Sequence, residues 1–312
     1  MATRINTVPM ETTPPNPGNS MSSNMPSYTI TCGSRTLALG QRTLIMGIVN
    51  VTPDSFSDGG RFFSPDRAIA QAVQLVEEGA DILDIGGEST RPFSDPVGES
   101  EEIDRVLPVI EGLAGRVATP ISIDTTKAAV ARQAVAAGAS MINDVSALRT
   151  DPTMAATAAR CRVPIILMHM KGTPKTMQVK PVYEDLVTDI RTFLSDAMNR
   201  AVAAGVERSA IILDPGIGFG KTMGHNLQLI RDLDRFHELA APLLAGPSRK
   251  MFIRHLLKDP SQNDMDPLSV EVARGTQAAV AAAAMKGVHI VRVHDVARTR
   301  ATLAVINAIT SV

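Results

Sequence analysis

Five polar residues stand at or near the ends of short apolar runs: Asp84, Asp124, Asn143, Asp214 and Lys250. Carboxylates and an amide can read a flat heterocycle that presents N–H donors and ring acceptors, and a lysine can donate to a ring nitrogen or carbonyl. Asn50, Arg292 and His294 form a second set, whose donors suit a phosphate or diphosphate. Arginine brings the forked geometry that an oxyanion accepts. Asn50 has another reading, as an oxygen ligand of Mg²⁺, an ion that favours oxygen donors and substrate phosphates. Buried polar groups are costly unless paired, so the first set either closes on itself as an ion-pair network or receives a ligand. His169 lies in the same zone without an evident anion partner and reads as a strand-end residue bonded to backbone. His225, His237, His255 and His289 read as surface or packing residues. No His/Cys cluster has the spacing of a structural zinc site.

The stretch from Asp214 to Thr222 shows how such residues are presented. The apolar run Ala210 to Leu213 is too short for a helix and fits a buried strand; it stops on Asp214. Gly216, Gly218 and Gly220 then alternate with Ile217 and Phe219, and a helical pattern starts near Asn226. Gly220-Lys221-Thr222 imitates a P-loop, but Pro215 occupies the position of that motif's first glycine. The G-x-G-x-G spacing also differs from a dinucleotide fingerprint. Taken alone, the stretch is an ordinary βα turn. Its weight comes from repetition, since other strands also end in polar residues.

The elements that must position these groups can be read in order. Residues 1–26, rich in Pro, Asn, Ser and Met, cannot bury a core and read as a disordered tail ahead of a single unit over 27–312. Tyr28 to Leu39 suggests a short hairpin. Barrel-type strands are expected at Thr43–Val49, Asp81–Ile85, Ile121–Ile123, Met141–Ile142, Val163–Leu167, Ala210–Leu213, Pro242–Ala245 and Val288–Val291. Helices are expected between them, one starting at Ser64-Pro65, one ending at Gly138, one running from about Tyr183 to Ala204, and a last one capped by Asp295. The strands are near-continuous apolar runs, the mark of a parallel sheet covered by helices. Eight such units imply a (β/α)8 TIM barrel, whose chemistry sits at the C-terminal ends of the strands. The alternative is a doubly wound open sheet, which needs polar residues only at its switch point.

Bulk properties narrow the function. The chain has 312 residues, 44 % of them apolar and 20 % charged, with a net charge of −1. That profile is soluble and globular and argues against nucleic acid as the main partner. No apolar run is long enough to span a membrane, and no secretory leader is evident. Cys32 and Cys161 lack metal spacing; inert buried thiols in a reducing cytoplasm are expected.

Two polar loops complete the pattern: Asn50-Val-Thr-Pro-Asp-Ser-Phe-Ser-Asp-Gly-Gly60 and Gly86-Gly-Glu-Ser-Thr-Arg-Pro92. They closely resemble the two mobile loops of dihydropteroate synthases. Asp124-Thr125, Asn143-Asp144, Leu167-Met-His-Met170, Asp214 to Lys221, Ser248-Arg-Lys250 and Arg292-Val-His-Asp295 match the family's other blocks in order, over residues 42–310. The resemblance implies a TIM barrel that joins 6-hydroxymethyl-7,8-dihydropterin diphosphate to 4-aminobenzoate. It implies pterin contacts from Asp124, Asn143, Met168, Asp214, Gly218, Phe219 and Lys250. Diphosphate contacts fall to Asn50, Thr90, Arg292 and His294, with Mg²⁺ near Asn50. An aminobenzoate pocket falls to Phe56, Thr90, Arg91, Pro92, Phe219 and Ser248. Asp84, Asp124, Lys250, Arg292 and His294 are the candidates for the chemical step, and a homodimer through the late helices is implied. Two positions depart from the family: Phe93 replaces a usual glycine, and Met251 a frequent serine. A pterin-dependent methyltransferase of the same superfamily would lack both loops and the Ser248-Arg249-Lys250 block. A non-catalytic pterin-binding paralogue is the other alternative.

Overall fold

A computed structural model of the chain describes residues 25–52, 64–89, 94–173, 175–177, 179–261 and 263–310. The expected tail lies outside the described residues except for its last two positions. A hairpin of β1 (Tyr28–Cys32) and β2 (Arg35–Leu39) comes first, turning at Gly33, as the sequence predicts. β3 (Leu44–Asn50), β4 (Ile82–Gly86), β5 (Ile121–Asp124), β6 (Met141–Asp144), β7 (Ile165–Met168), β8 (Ile211–Asp214), β9 (Leu244–Ala245) and β10 (Ile290–Val293) then form one parallel sheet. Their order is β8-β7-β6-β5-β4-β3-β10-β9, and a parallel bridge from Leu213 to Leu243 joins the two edges into a barrel. Eight parallel strands in this order bear out the barrel and exclude the open sheet.

The two-residue period of the strands sorts their side chains. Leu83, Ile85, Ile123, Ile142, Leu167 and Leu213 face the helices in the main core. The alternate residues point into the barrel, where Met46, Ile82, Met141, Ile166, Ile212 and Ile290 fill the lower half against Ile30, Cys32 and Leu39 of the hairpin. Two residues further along, the same inward positions become Asp84, Asn143, Met168, Asp214 and Arg292. β4, β6, β8 and β10 are therefore apolar at the base and polar at the mouth on their inward face, whereas β5 carries Ser122 and then Asp124, and β7 keeps Met168. An apolar plug below and a polar layer above is what presents the site at one end.

The helices are α1 (Pro65–Glu78), α2 (Glu99–Leu113), α3 (Ala128–Ala137), α4 (Met154–Cys161), α5 (Leu186–Ala203), α6 (Met223–Arg231), α7 (Met251–Leu257), α8 (Val270–Met285) and α9 (Val296–Thr310). The stop at Gly138 holds: its N–H reaches the carbonyls of Ala134 and Val135. Asp295 caps α9 as expected, accepting from the Arg298 N–H at 3.1 Å. Other expectations need correction. A helix is expected between the fourth and fifth barrel strands as between the others, but the pattern does not locate it; α4 is there, and at 8 residues it is too short to display a full apolar period. α5 starts at Leu186 because Asp185, not the Tyr183 region, supplies the N-cap, accepting from Thr188 N at 2.7 Å. α6 starts at Met223 because Thr222 and His225 form a reciprocal capping box. β9 is only 2 residues long, following Pro242, which has no N–H to give to a ladder. Cys161 is half-buried rather than buried, whereas Cys32 is buried and its thiol is pushed up to about 11. His289 is a packing residue as expected: Nδ1 accepts from Leu243 N, and Nε2 donates to the Pro26 carbonyl.

Candidate active site

The polar layer at the mouth of the barrel converges as its strand ends require. Arg292, on β10, reaches across the interior. Its Nε donates to Asp84 Oδ2 at 2.6 Å and its Nη2 to Asp124 Oδ2 at 2.7 Å. Asn143 Nδ2 donates to the same Asp84 oxygen at 3.0 Å. Asp84 Oδ1 is buried and has no hydrogen-bond partner among the described residues. Asp84, Asp124, Asn143 and Arg292 thus form one network, where the sequence had suggested separate ring-reading and anion-reading sets. The closed ion-pair network is partly realised: Arg292 is the hinge between the two sets, and its guanidinium side chain keeps 21 % exposure at the mouth.

Electrostatics keep this layer responsive. Burial pushes the Asp124 carboxyl up to about 7 against the pull of Arg292, with Asp84, Glu102 and Asp144 adding to the rise. Asp214, on β8, is pushed up to about 6 by burial, while the Gly216 N–H, Lys250, Lys221 and Arg292 pull the other way. Asp214 Oδ1 accepts from Gly216 N at 2.7 Å, so part of its hydrogen-bonding capacity is committed to its own loop. Asp144, adjacent to Asn143, is not part of the layer. It accepts from Ser146 and Leu148 and shapes the turn after β6.

Beside the carboxylates lies an apolar wall of Val145, Met168, Met170, Met177 and Phe219. Lys250, at the start of α7, holds its Nζ 3.9 Å from the centre of the Phe219 ring, a cation–π contact. Its stem covers Gly218: a Cβ there would come within 2.8 Å of Lys250 Cδ, and φ is +85°. The left-handed backbone at 218 favours glycine there, and any side chain would also have to displace the Lys250 stem. Arg249, at φ +56°, turns the chain so that Ser248 and Lys250 both lie at the rim. Such a conformation is unfavourable for a non-glycine residue and clusters at functional sites. Ser248 Oγ meets His294 Nδ1 at 2.9 Å and also accepts from His294 N. The rim therefore links the residue expected at the aminobenzoate pocket to one expected at the diphosphate. Asn50 ends β3, half-buried and beside Gly86 in register. Phe56, Thr90, Arg91, Pro92 and Phe93 lie outside the described residues.

The root of the second loop is braced from below. Lys127 Nζ bonds Glu88 at 2.6 Å and Glu102 at 2.5 Å, and Glu88 accepts from Val97 N. Sequence reading missed this brace, and it missed Lys221, Asn226 and Tyr183. Each of those three ties down the loop after β8, and their local sequence surroundings do not mark that role. His169 also needs correction. Its backbone N–H does bond the Asp214 carbonyl at 2.9 Å, but its ring partner is a side chain, Lys221 Nζ, at 3.0 Å.

A barrel with a polar layer at its mouth, an apolar wall and a basic rim suits an enzyme that handles a flat heterocycle carrying an anionic group. Residues 46–294 match the family model described as pterin binding enzyme. The chain is 50 % identical over 257 residues to the dihydropteroate synthase of Synechocystis sp., covering 82 % of this chain and 86 % of that one. A solved dihydropteroate synthase of Xanthomonas albilineans with 4-aminobenzoic acid superposes with a TM-score of 0.82 at 46 % identity, covering 92 % of this chain and all of that one. A second structure from that organism, in complex with 7,8-dihydropteroate, gives 0.81 at 44 % identity, covering 91 % of this chain and 99 % of that one. The chain belongs to the pterin-binding enzyme family, among its dihydropteroate synthases.

Proposed function

We propose that this chain catalyses the reaction for which its relatives are named, joining 6-hydroxymethyl-7,8-dihydropterin diphosphate to 4-aminobenzoate. The products are 7,8-dihydropteroate and diphosphate. The observation that carries this reading is Arg292, which joins the ring-reading carboxylates Asp84 and Asp124 to the rim where His294 and Ser248 meet. A substrate with a ring at one end and a diphosphate at the other matches that continuity.

In this reading Asp124, Asn143 and Asp214 receive the N–H groups of the pterin, and Lys250 donates to a ring acceptor. Met168 and Phe219 cover the ring faces, beside Gly218. Asn50, Arg292 and His294, with Thr90, take the diphosphate. The reaction breaks the C–O bond to diphosphate and forms a C–N bond to the arylamine, which then gives up a proton. Positive charge develops on the methylene as the leaving group departs, next to an electron-rich ring. Donors already aimed at the departing oxygens lower that barrier without reorganising. The aminobenzoate would be taken by Phe219 and Ser248 together with Phe56, Thr90, Arg91 and Pro92 of the two loops, which lie outside the described residues. The amine is already nucleophilic, so no strong general base is needed.

Mg²⁺ belongs to the same proposal. Among the described residues no group of three or more His, Cys, Asp or Glu could hold a metal ion. The half-buried Asn50 amide fits an ion that takes few protein oxygens and completes its shell with phosphate oxygens and water. Bound there, Mg²⁺ would neutralise charge on the leaving diphosphate. Pairing as a homodimer through the late helices is supported by Leu257, Leu268, Val270 and Met285, which are exposed on and around α7 and α8; light scattering checks it. No helix among the described residues is long and apolar enough to cross a membrane. Two unpaired cysteines support a cytoplasmic setting.

The test is diphosphate release from purified protein. Release that requires pterin diphosphate, 4-aminobenzoate and Mg²⁺ together is the expected result. Pterin binding without any release would establish the non-catalytic paralogue instead.

A further inference from the structure

Among the described residues, the largest fully buried side chain is Lys221, which is 1 % exposed and which the reaction leaves unused. Its Nζ lies 2.9 Å from the Gly216 carbonyl, 3.0 Å from the Phe219 carbonyl and 3.0 Å from His169 Nδ1. The first two contacts span the turn that follows Asp214. The third crosses to the end of β7. We propose that Lys221 is a positioning residue for the pterin floor, a three-way strut that fixes the turn over residues 216–220 and thereby aims Asp214 and Phe219, with His169 as its dedicated partner. The proposal rests on the pterin-binding reading of the site.

The turn makes one backbone bond of its own among the described residues, Phe219 N–H to the Gly216 carbonyl at 3.1 Å, and side chains supply the rest of its hold. Gly216 is at φ +74°, and a Cβ there would lie 1.9 Å from the His169 carbonyl, so the two segments touch through bare backbone. A turn of this kind carries inward-facing carbonyls with no ladder to satisfy them, and buried carbonyls without donors are costly. Lys221 serves two of them. Asn226 accepts from Gly218 N at 2.6 Å, and Tyr183 Oη donates to the Gly220 carbonyl at 2.7 Å. The peptide groups from 216 to 220 are thus tied at successive points, and Lys221 is the only tie that reaches both β7 and the turn among these contacts. Asp214 accepts from Gly216 N, and Phe219 carries its ring against Lys250. Moving either end of the strut moves a group in the pterin floor.

His169 suits the partner's role. Its ring is edge-on to Phe193, with centroids 4.8 Å apart, and lies beside Tyr183. Burial, then Lys221, Arg149 and Lys171, drive its pKa down to about 2, so it stays neutral. Burial lowers the Lys221 ammonium to about 7, with Asp214 opposing and Lys250 adding. Two proton arrangements satisfy the same three contacts. In one, an ammonium donates to both carbonyls and to Nδ1. In the other, an amine donates to both carbonyls and accepts from Nδ1–H. The strut therefore keeps its shape as pH changes, while its charge does not. Asp214, which also faces Lys250 and Arg292, feels that charge.

Pterin affinity measured by calorimetry, with folding checked by circular dichroism and thermal melting, tests the proposal. Lys221→Met should weaken pterin binding at least about tenfold and move the pH midpoint of binding, set by Asp214, upward by about half a unit or more. His169→Leu removes the partner and should reproduce most of the affinity loss. His169→Asn places an oxygen acceptor near the Nδ1 position and should recover most of what His169→Leu loses. If Lys221→Met does not fold, the two His169 variants carry the test. Wild-type binding is the control: no pterin binding by wild type refutes the site reading itself. Wild-type affinity with an unmoved pH midpoint in folded Lys221→Met, or equal losses in His169→Leu and His169→Asn, overturns the strut alone.

Discussion

Replacing Arg292 with methionine removes the one cation that bridges Asp84 and Asp124. The bridge consists of charge-assisted hydrogen bonds of 2.6 and 2.7 Å to carboxylates whose side chains are 0 % and 9 % exposed. Methionine fills similar space without charge, so the effect is electrostatic rather than a cavity. Breaking a buried pair from one side costs about 3–5 kcal/mol, because it strands the partner's charge. For a chain of this size each kcal/mol moves the melting temperature by roughly 2 °C, so a fall of about 6–10 °C is expected at pH 8. The deficit should shrink at pH 5.5. Asp124 is already raised to about 7 by burial even with Arg292 present, and losing Arg292 raises it further. A carboxyl raised above its unfolded value contributes stability that is present at low pH and lost as pH rises through the folded value. Proton uptake therefore compensates the variant in acid but not in base. Differential scanning fluorimetry of both proteins at the two pH values measures this. A melting temperature within 1 °C of wild type at pH 8, or a loss no smaller at pH 5.5, would refute the reasoning.

Other expected outcomes concern ligands. Asp214→Asn keeps shape and loses a charged acceptor, about 1.5–3 kcal/mol, so calorimetry should show pterin binding at least about tenfold weaker. Because burial raises Asp214 to about 6, wild-type pterin affinity should climb with pH through that value as the carboxylate forms; a flat profile from pH 5 to 8 would remove Asp214 from the floor. Arg292→Lys keeps a charge but cannot fork between two carboxylates and an anion, so diphosphate binding should weaken more than binding of the pterin alone; equal loss of both would assign Arg292 to the fold. Arg91→Ala, in the second loop, should spare pterin binding and lower turnover, with aminobenzoate binding only after the pterin diphosphate. Tight aminobenzoate binding to the free protein would exclude that order.

Much of the barrel was legible because strand identity is a local property. Short, largely apolar runs with a polar residue at or near their C-terminal end mark buried parallel strands and their mouths: β8 ends on Asp214, β5 on Asp124 and β6 on Asn143-Asp144, while β4 carries Asp84 two residues before its end. Helix starts were less legible. Thr222 and Asp185 cap α6 and α5 through bonds to the third helical residue, and several nearby polar residues could have done so. The bounds of α4 were obscured by its shortness, and β9 reads in the right place but two residues too long.

The sequence by itself determined which groups stand at the barrel mouth, since a two-residue period carries Ile82 to Asp84 and Ile212 to Asp214 wherever the strands go. It also placed the Ser248-Arg249-Lys250 and Arg292-Val293-His294 blocks at strand ends. Only the tertiary structure decided who meets whom. Arg292 clamps Asp84 and Asp124 across 208 and 168 residues of chain, Ser248 finds His294 46 residues away, and Lys221 finds His169 across 52. Closure of the barrel creates these pairs by bringing strand mouths face to face. The stagger of the strands sets which inward residue reaches which neighbour, and that stagger is a property of the closed sheet that no single segment encodes.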